Sequence, residues 1–403
     1  MSWKFMSLDS ICDFQSGLWT GKKPPFVNIK VIRNTNFTKD CQLKINDIVH
    51  LDVEESQFSK RELKYGDLIL EKSGGGPKQA VGRVVKFDIT DNGYSVSNFT
   101  SIIRIKNKEI IDFQYLQKFL YFFYVSGQTL SLQNNSTGIR NLNNKAYQKI
   151  EIPVPPLSEQ QQIVEKLDTA FELIDRAKAN IEKNIQNAKE LFQSKLNQVF
   201  SEKGEGWEEK KLKDLGKVQT GTTPPTKDID NYGNFIPFVK PAHFNKNGEI
   251  FTSDSYLSAK GISKSRLINA NSILMVCIGA TIGKTGFTNI DVTCNQQINT
   301  LTPNKEYNHK FLYFGMISRV FQDKVLREGK GAQATLPIIN KSKWENLGLN
   351  INKNLEMQQQ IVYMLEELSN QTELLQQKYQ QKLANLEELK KSILEKAFKG
   401  ELM

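Results

Sequence analysis

Three short segments of this 403-residue chain hold residue types able to do chemistry. Residues 279–285 read GATIGKT and approach a phosphate-binding loop, yet only three residues separate the two glycines where four are needed to wrap phosphates, so a tight turn carrying an exposed Lys284 is expected. Residues 23–26 read KPPF, close to the N/D-P-P-F/Y pattern of adenine-methylating enzymes. That chemistry needs an acceptor for the base amino group, and Lys23 offers only donors. Glu71 and Lys72 follow Asp67, but neighbours on a strand point to opposite faces and cannot share a metal. Cys12, Cys41, Cys277 and Cys294 form no C-x-x-C pair, and His50, His243 and His309 are the only histidines. Neither zinc, a disulfide framework nor a Ser/His/Asp or Cys/His set is expected, and a reducing cytoplasm fits the thiols. The residues thus predict no catalytic group and no metal ligand.

The elements that position everything else are two long repeats. Residues 157–200 and 355–398 align without a gap at an offset of 198, both opening on a QQQIV run and closing on a phenylalanine, Phe200 and Phe398. Apolar residues step by four and three through Ile163, Leu167, Ala170, Ile174, Ala177 and Ile181, and again through Ile361, Leu365, Leu368, Thr372 and Leu375. That spacing keeps one stripe on one helical face. Ser158 with Gln161 forms an S-x-x-Q capping box, and Gly204 and Gly400 lie beyond the ends. A helix of this length spans roughly 65 Å, too long for the core of one domain. Mutual antiparallel pairing as a coiled coil, through Ile163, Leu167, Ile174, Ile181, Ile361, Leu365, Leu368 and Leu375, is favoured over each helix lying on its own domain.

The segments between them repeat as well. Trp3, Leu8, Ile11, Gln15 and Gly17 recur 204 residues on as Trp207, Leu212, Leu215, Gln219 and Gly221, and residues 32–37 (IRNTNF) match 239–244 (VKPAHF). Each unit has a β-rich run into a glycine turn, 66–70 before Gly74 and 272–276 before Gly279. Helical stretches over 115–125 and 310–326 follow, then polar loops from Ser136 and Gly329. The expected fold class is α+β: globular units at 1–156 and 206–352 alternate with helical spacers at 157–205 and 353–403. Antiparallel pairing would relate the two units by a pseudo-twofold axis.

Charge follows the same division. Residues 1–156 carry +6 and 206–352 carry +7, whereas the spacers carry −2 and −1. Two basic units separated by near-neutral rods suit phosphate on the units and protein on the rods. No apolar run reaches membrane-spanning length and no signal peptide opens the chain.

Two units of dissimilar middles, each followed by a PLSEQQQIV-type helix, with a GA-x-IGK turn and a C-terminal KAFKGEL, resemble the specificity subunit of type I restriction-modification systems over essentially the whole chain. The first unit departs at its turn, SGGGPKQAVGRV from Ser73. The resemblance implies two target-recognition domains that each read half of a split double-stranded DNA sequence. It also implies helices that hold them apart and dock two methyltransferase (modification) subunits, which restriction subunits (translocase and nuclease) join. S-adenosylmethionine then belongs to the methyltransferase, ATP and magnesium to the restriction subunit, and no cofactor to this chain. Rod length should set half-site spacing. Donor-rich turns are the candidates for base edges and phosphates. In the first unit these are Lys22, Lys23, Arg33, Asn34, Asn36, Lys72, Lys78, Gln79, Arg83, Arg140 and Asn141; in the second they are Thr222, Thr223, Lys240, His243, Lys246, Lys284, Gln296, Gln297, Lys330 and Gln333. The competing readings are a fused methyltransferase or nuclease without recognisable motifs, and a purely structural coiled-coil adaptor.

Overall fold

A computed structural model describes residues 3–76, 79–136, 139–201, 204–245, 248–252, 254–329 and 337–402. The chain divides into two compact units, one of residues 1–181 with 381–403 and one of residues 182–380. The same α+β topology is built twice. In the first unit a four-stranded antiparallel sheet runs in the order Cys12–Ser16, Thr100–Ile105, Leu68–Glu71, Val84–Lys86; in the second the order is Gly216–Thr220, Ile298–Pro303, Ser272–Val276, Thr285–Thr288. Each unit adds a three-stranded sheet, centred on Phe26–Ile32 or Tyr232–Val239, with one parallel and one antiparallel neighbour. The opening strand of each unit pairs antiparallel with its closing one, Lys4–Ser7 with Glu151–Val154 and Trp207–Lys211 with Gly348–Asn352. The central strands Leu68–Glu71 and Ser272–Val276 are buried on both faces, as their unbroken apolar runs require.

Two local expectations change. The stretch over 310–326 is two helices, His309–Ile317 and Arg319–Gly329, because Ser318 leaves helical geometry and its Oγ accepts from the Phe321 amide. The polar segment after Ser136 is partly strand: Gln133–Ser136 and Ile139–Leu142 form a hairpin whose second strand pairs with Ser73–Gly75.

The long helices run Leu157–Ser201 and Leu355–Phe398. The capping-box expectation fails, since Leu157 is already helical and Ser158 lies inside the first turn. In the second helix the cap is Asn354, whose side chain accepts from the Glu356 and Met357 amides; the corresponding residue of the first is Pro156, which can cap only through its carbonyl. The QQQIV openings have a different purpose. Gln160 is fully buried, accepts from the Asp112 amide and donates to the Ile110 and Pro155 carbonyls. Gln358 repeats this with the Asn308 amide and the Glu306 and Asn352 carbonyls. Each glutamine thereby ties its helix to the loop that opens an earlier helix of its own unit, Phe113–Val125 in the first and His309–Ile317 in the second.

Pairing and packing on the domain occur together. In the first unit Ile163, Leu167 and Ile174 are buried, and Ile163, Val164, Leu167 and Phe171 share one core with Leu394, Ala397 and Phe398 from the end of the second helix. The segments are antiparallel there, with Lys166 reaching the Leu402 carbonyl and Lys178 reaching Glu387 at 2.6 Å. Phe398 packs on Tyr115, Phe119 and Phe122. In the second unit Ile361, Val362 and Leu365 join Leu196, Val199 and Phe200, and Phe200 packs on Trp207 and Phe311. Towards the helix middles the stripe loosens. Ile181 and Leu368 are half-buried, and Leu375 is 40% exposed, so it is not a seam residue of its unit. Lys390 takes a buried place in the first unit, over the Phe171 ring and 3.9 Å from Asp40 and Asp175.

Candidate nucleic-acid interface

Matching backbone hydrogen bonds set the two units residue against residue. Three corners carry the candidates: the turn after the first sheet strand, the short 3-10 turn after the strand at the centre of the three-stranded sheet, and the turn closing the two-face-buried strand.

At the 3-10 turn, the Arg33 amide donates to Asn36 Oδ1 and the Lys240 amide to His243 Nδ1, so Asn36 and His243 are the same cap in different chemistry. Asn36 also donates to the Asp47 carbonyl and is buried, so it holds the turn and is withdrawn as a DNA contact. Because His243 Nδ1 accepts, the neutral ring carries its proton on Nε2, which faces Asp254 at 3.4 Å. Burial lowers the His243 pKa and outweighs the opposing pull of Asp254. The ring is therefore committed to its turn.

At the strand-closing turn, Gly82 donates to the Glu71 carbonyl and Glu71 to the Arg83 carbonyl, as Gly283 does to Val276 and Val276 to Lys284. Arg83 and Lys284 are thus equivalent, with opposite fates. Lys284 is exposed on the GATIGKT turn, as expected of a tight turn. Arg83 is 6% exposed and bound to both Glu71 oxygens at 2.7 Å, and it donates as well to the Phe37, Thr38 and Asn34 carbonyls. A glutamate where the second unit has Val276 draws the guanidinium inward. Arg83 is withdrawn as a contact: every one of its donor nitrogens is already engaged inside the unit.

Of the remaining first-unit candidates, Asn34 and Asn141 meet at Ser73. Asn34 donates to the Ser73 carbonyl at 3.4 Å, Ser73 Oγ donates to Asn141 at 2.5 Å, and Arg140 approaches Gln133 at 3.5 Å. Gly74 stands beside Asn34 with φ +106°, and a Cβ there would come within 2.6 Å of Asn34 Nδ2, so glycine suits this turn both in conformation and in space. Lys72 is half-buried with no ion-pair partner among the described residues, and burial lowers its pKa. A desolvated cation beside amides and backbone suits an incoming phosphate or guanine edge. Lys22, Lys23 and Gln79 are exposed, and the amides of both lysines donate to Glu54. Lys78 lies outside the described residues.

In the second unit Thr222, Thr223, Gln296 and Gln297 come together: the Thr223 hydroxyl donates to Gln296, and Gln297 accepts from Asn295 at 2.9 Å. Lys240 is exposed, its ammonium 5.8 Å from the Phe238 ring centre. Lys246, Lys330 and Gln333 lie outside the described residues. The backbone bonds pair this corner with one that donor-rich composition does not single out. Leu18 and Gly17 donate to Val96 and Thr100 as Thr222 and Gly221 do to Cys294 and Ile298, and Lys72 donates to Phe99 as Cys277 does to Gln297. Trp19 and Phe99 therefore occupy the positions of Thr223 and Gln297. Extending the 204-residue offset by two residues beyond Gly17 reaches Trp19.

Among the described residues no cluster of His, Cys, Asp and Glu could hold a metal, and no helix is long and apolar enough to cross a membrane.

A duplicated α+β unit presenting donors on matched corners, each closed by a long helix, defines a two-headed recognition scaffold. Residues 1–187 and 204–383 match the sequence profile of the type I restriction modification DNA specificity domain, and the chain belongs to that family. It is 25% identical over 334 residues to the EcoBI specificity subunit of Escherichia coli, covering 74% of this chain and 68% of that one. It is 34% identical over 134 residues to the HindI specificity subunit of Haemophilus influenzae, covering 32% of this chain and 29% of that one. A chain solved in a study of type I R-M complex assembly and conformational transition shares the fold at a TM-score of 0.78 and 20% identity, covering 100% of this chain and 98% of that one.

Proposed function

We propose that this chain is the DNA-reading subunit of a type I restriction-modification complex. Each unit reads one half of a bipartite double-stranded target, and two methyltransferase subunits and the restriction subunits dock on the scaffold. Methyl transfer and cleavage belong to those partners, with S-adenosylmethionine in the former and ATP and magnesium in the latter, and this chain contributes recognition alone. The observation that carries the reading is one topology built twice with different contact chemistry on equivalent corners: Trp19 and Phe99 in the first unit stand where Thr223 and Gln297 stand in the second, and the strand-closing turn offers Lys72 and Ser73 in the first and Lys284 in the second. A common scaffold with divergent contact residues is what reading two unlike half-sites demands.

The test is methylome sequencing of cells carrying the chain with its methyltransferase, before and after residues 1–150 are exchanged for those of a relative. One half of the methylated sequence should change and the other stay. A swap that alters both halves, or methylation by the purified chain alone, would refute the division of labour.

A further inference from the structure

The corner that is polar in the second unit is an aromatic cavity in the first. Leu18, Val31 and Val53, all buried, form the floor of a cavity of about 420 Å³, and Trp19 and Phe99 stand at it 68% and 43% exposed. Exposed aromatics over an apolar floor are costly to leave in water and mark a binding surface. The cavity also carries polar groups. Arg33 and Ser97 line it, and Arg33 Nε and Ser97 Oγ are buried with no hydrogen-bond partner among the described residues. Buried polar atoms without partners are uncommon, and here two belong to residues of one aromatic cavity. Apolar faces to sandwich and edge groups to satisfy describe a planar heteroaromatic ring. Lys72, without an ion-pair partner among the described residues, is joined to Phe99 through its own amide.

We propose that this cavity receives a nucleobase lifted out of the duplex in the half-site read by the first unit, stacked against Trp19 and Phe99 with its edge on Arg33 and Ser97. This rests on the DNA-reading role proposed above. At the equivalent place in the second unit Thr223 and Gln296 bond to each other, so the two heads read by different chemistry: one through a captured base, the other through hydrogen bonds to base edges.

The test is a double-mutant cycle with the full chain assembled with its methyltransferase subunits. Trp19 or Trp19→Ala is crossed with an intact or abasic nucleotide at each position of the mapped half-site. The unstacking cost is common to both proteins and cancels, leaving the stacking contact. Base–aromatic stacking corresponds to roughly 5- to 150-fold, expected at one nucleotide only, with Trp19→Phe restoring most of it. Mispairing that same nucleotide should tighten binding, because less pairing is lost on extrusion. Phe99→Ala should reproduce the coupling, and an unchanged melting temperature would show that both variants fold. Coupling within twofold of unity everywhere, with sequence-specific binding intact, would overturn the inference while sparing the DNA-reading role. Loss of affinity on mispairing would also overturn it, by showing an in-stack contact. A free mononucleotide that quenches Trp19 without DNA would make this a nucleotide site instead, and absence of specific DNA binding by the wild type would remove both proposals.

Discussion

Gln160→Leu should destabilise the first unit by about 2–5 kcal/mol, although it exchanges one side chain for another of similar size. Gln160 is fully buried and makes three hydrogen bonds, to the Asp112 amide at 2.9 Å and the Ile110 and Pro155 carbonyls at 2.9 and 2.7 Å. Leucine removes all three. The Pro155 carbonyl is inaccessible and the Asp112 amide largely so, at roughly 1–3 kcal/mol for each buried group left unpaired; Ile110 is exposed and its carbonyl regains water, so it adds little. At about 2–4 °C per kcal/mol for a unit of this size, the melting transition should fall by roughly 4–20 °C. Hydrogen exchange at the Asp112 amide should accelerate with it. Gln358→Leu should do about the same in the second unit, since it strands the Asn308 amide and the buried Asn352 carbonyl, while Glu306 is exposed and its carbonyl regains water. Gln161 and Gln162 are exposed, and their replacement by leucine should stay within about 0.5 kcal/mol. If Gln160→Leu and Gln161→Leu shift the transition equally, or both clamps cost under about 1 kcal/mol, the account of the QQQIV opening as an internal clamp is wrong.

Leu167→Asp should cost several kcal/mol in urea denaturation because Leu167 is fully buried, whereas Leu375→Asp should cost under about 1 kcal/mol; equal effects would contradict the loosened helix middle. Arg83→Met should lose about 3–5 kcal/mol by stranding Glu71, and Arg83→Met with Glu71→Leu should regain most of it. A stable Arg83→Met variant with weakened DNA binding would return Arg83 to the interface. Burial pushes the thiols of Cys12, Cys41, Cys277 and Cys294 up to about 12, so the folded chain should resist iodoacetamide at pH 8 and react only on unfolding. The folded state then holds these protons more tightly than the unfolded one, so their contribution to stability is complete below about pH 9 and declines as pH rises towards 12. Fast labelling of the native chain at pH 8 would contradict this.

Periodicity and repetition make the architecture legible in the amino-acid sequence itself. The offsets of 198 and 204 residues announce the duplication, and unbroken four-and-three spacing without Gly or Pro announces both long helices, because these signals are local and accumulate along the chain. The run at 272–276 is a strand to the residue, since nothing competes with an apolar β run bounded by turns. What each polar residue does is not legible in this way. Arg83 and Lys284 sit at equivalent turns, yet one is buried and one exposed because the residue across the turn is Glu71 in one unit and Val276 in the other. Leu375 keeps the stripe's phase but lies where its unit brings no cover. Trp19 and Phe99 are 80 residues apart and become one cavity only when the strands between them pair. Donor lists follow composition, whereas burial and partnership depend on long-range neighbours, and only the folded chain assigns those.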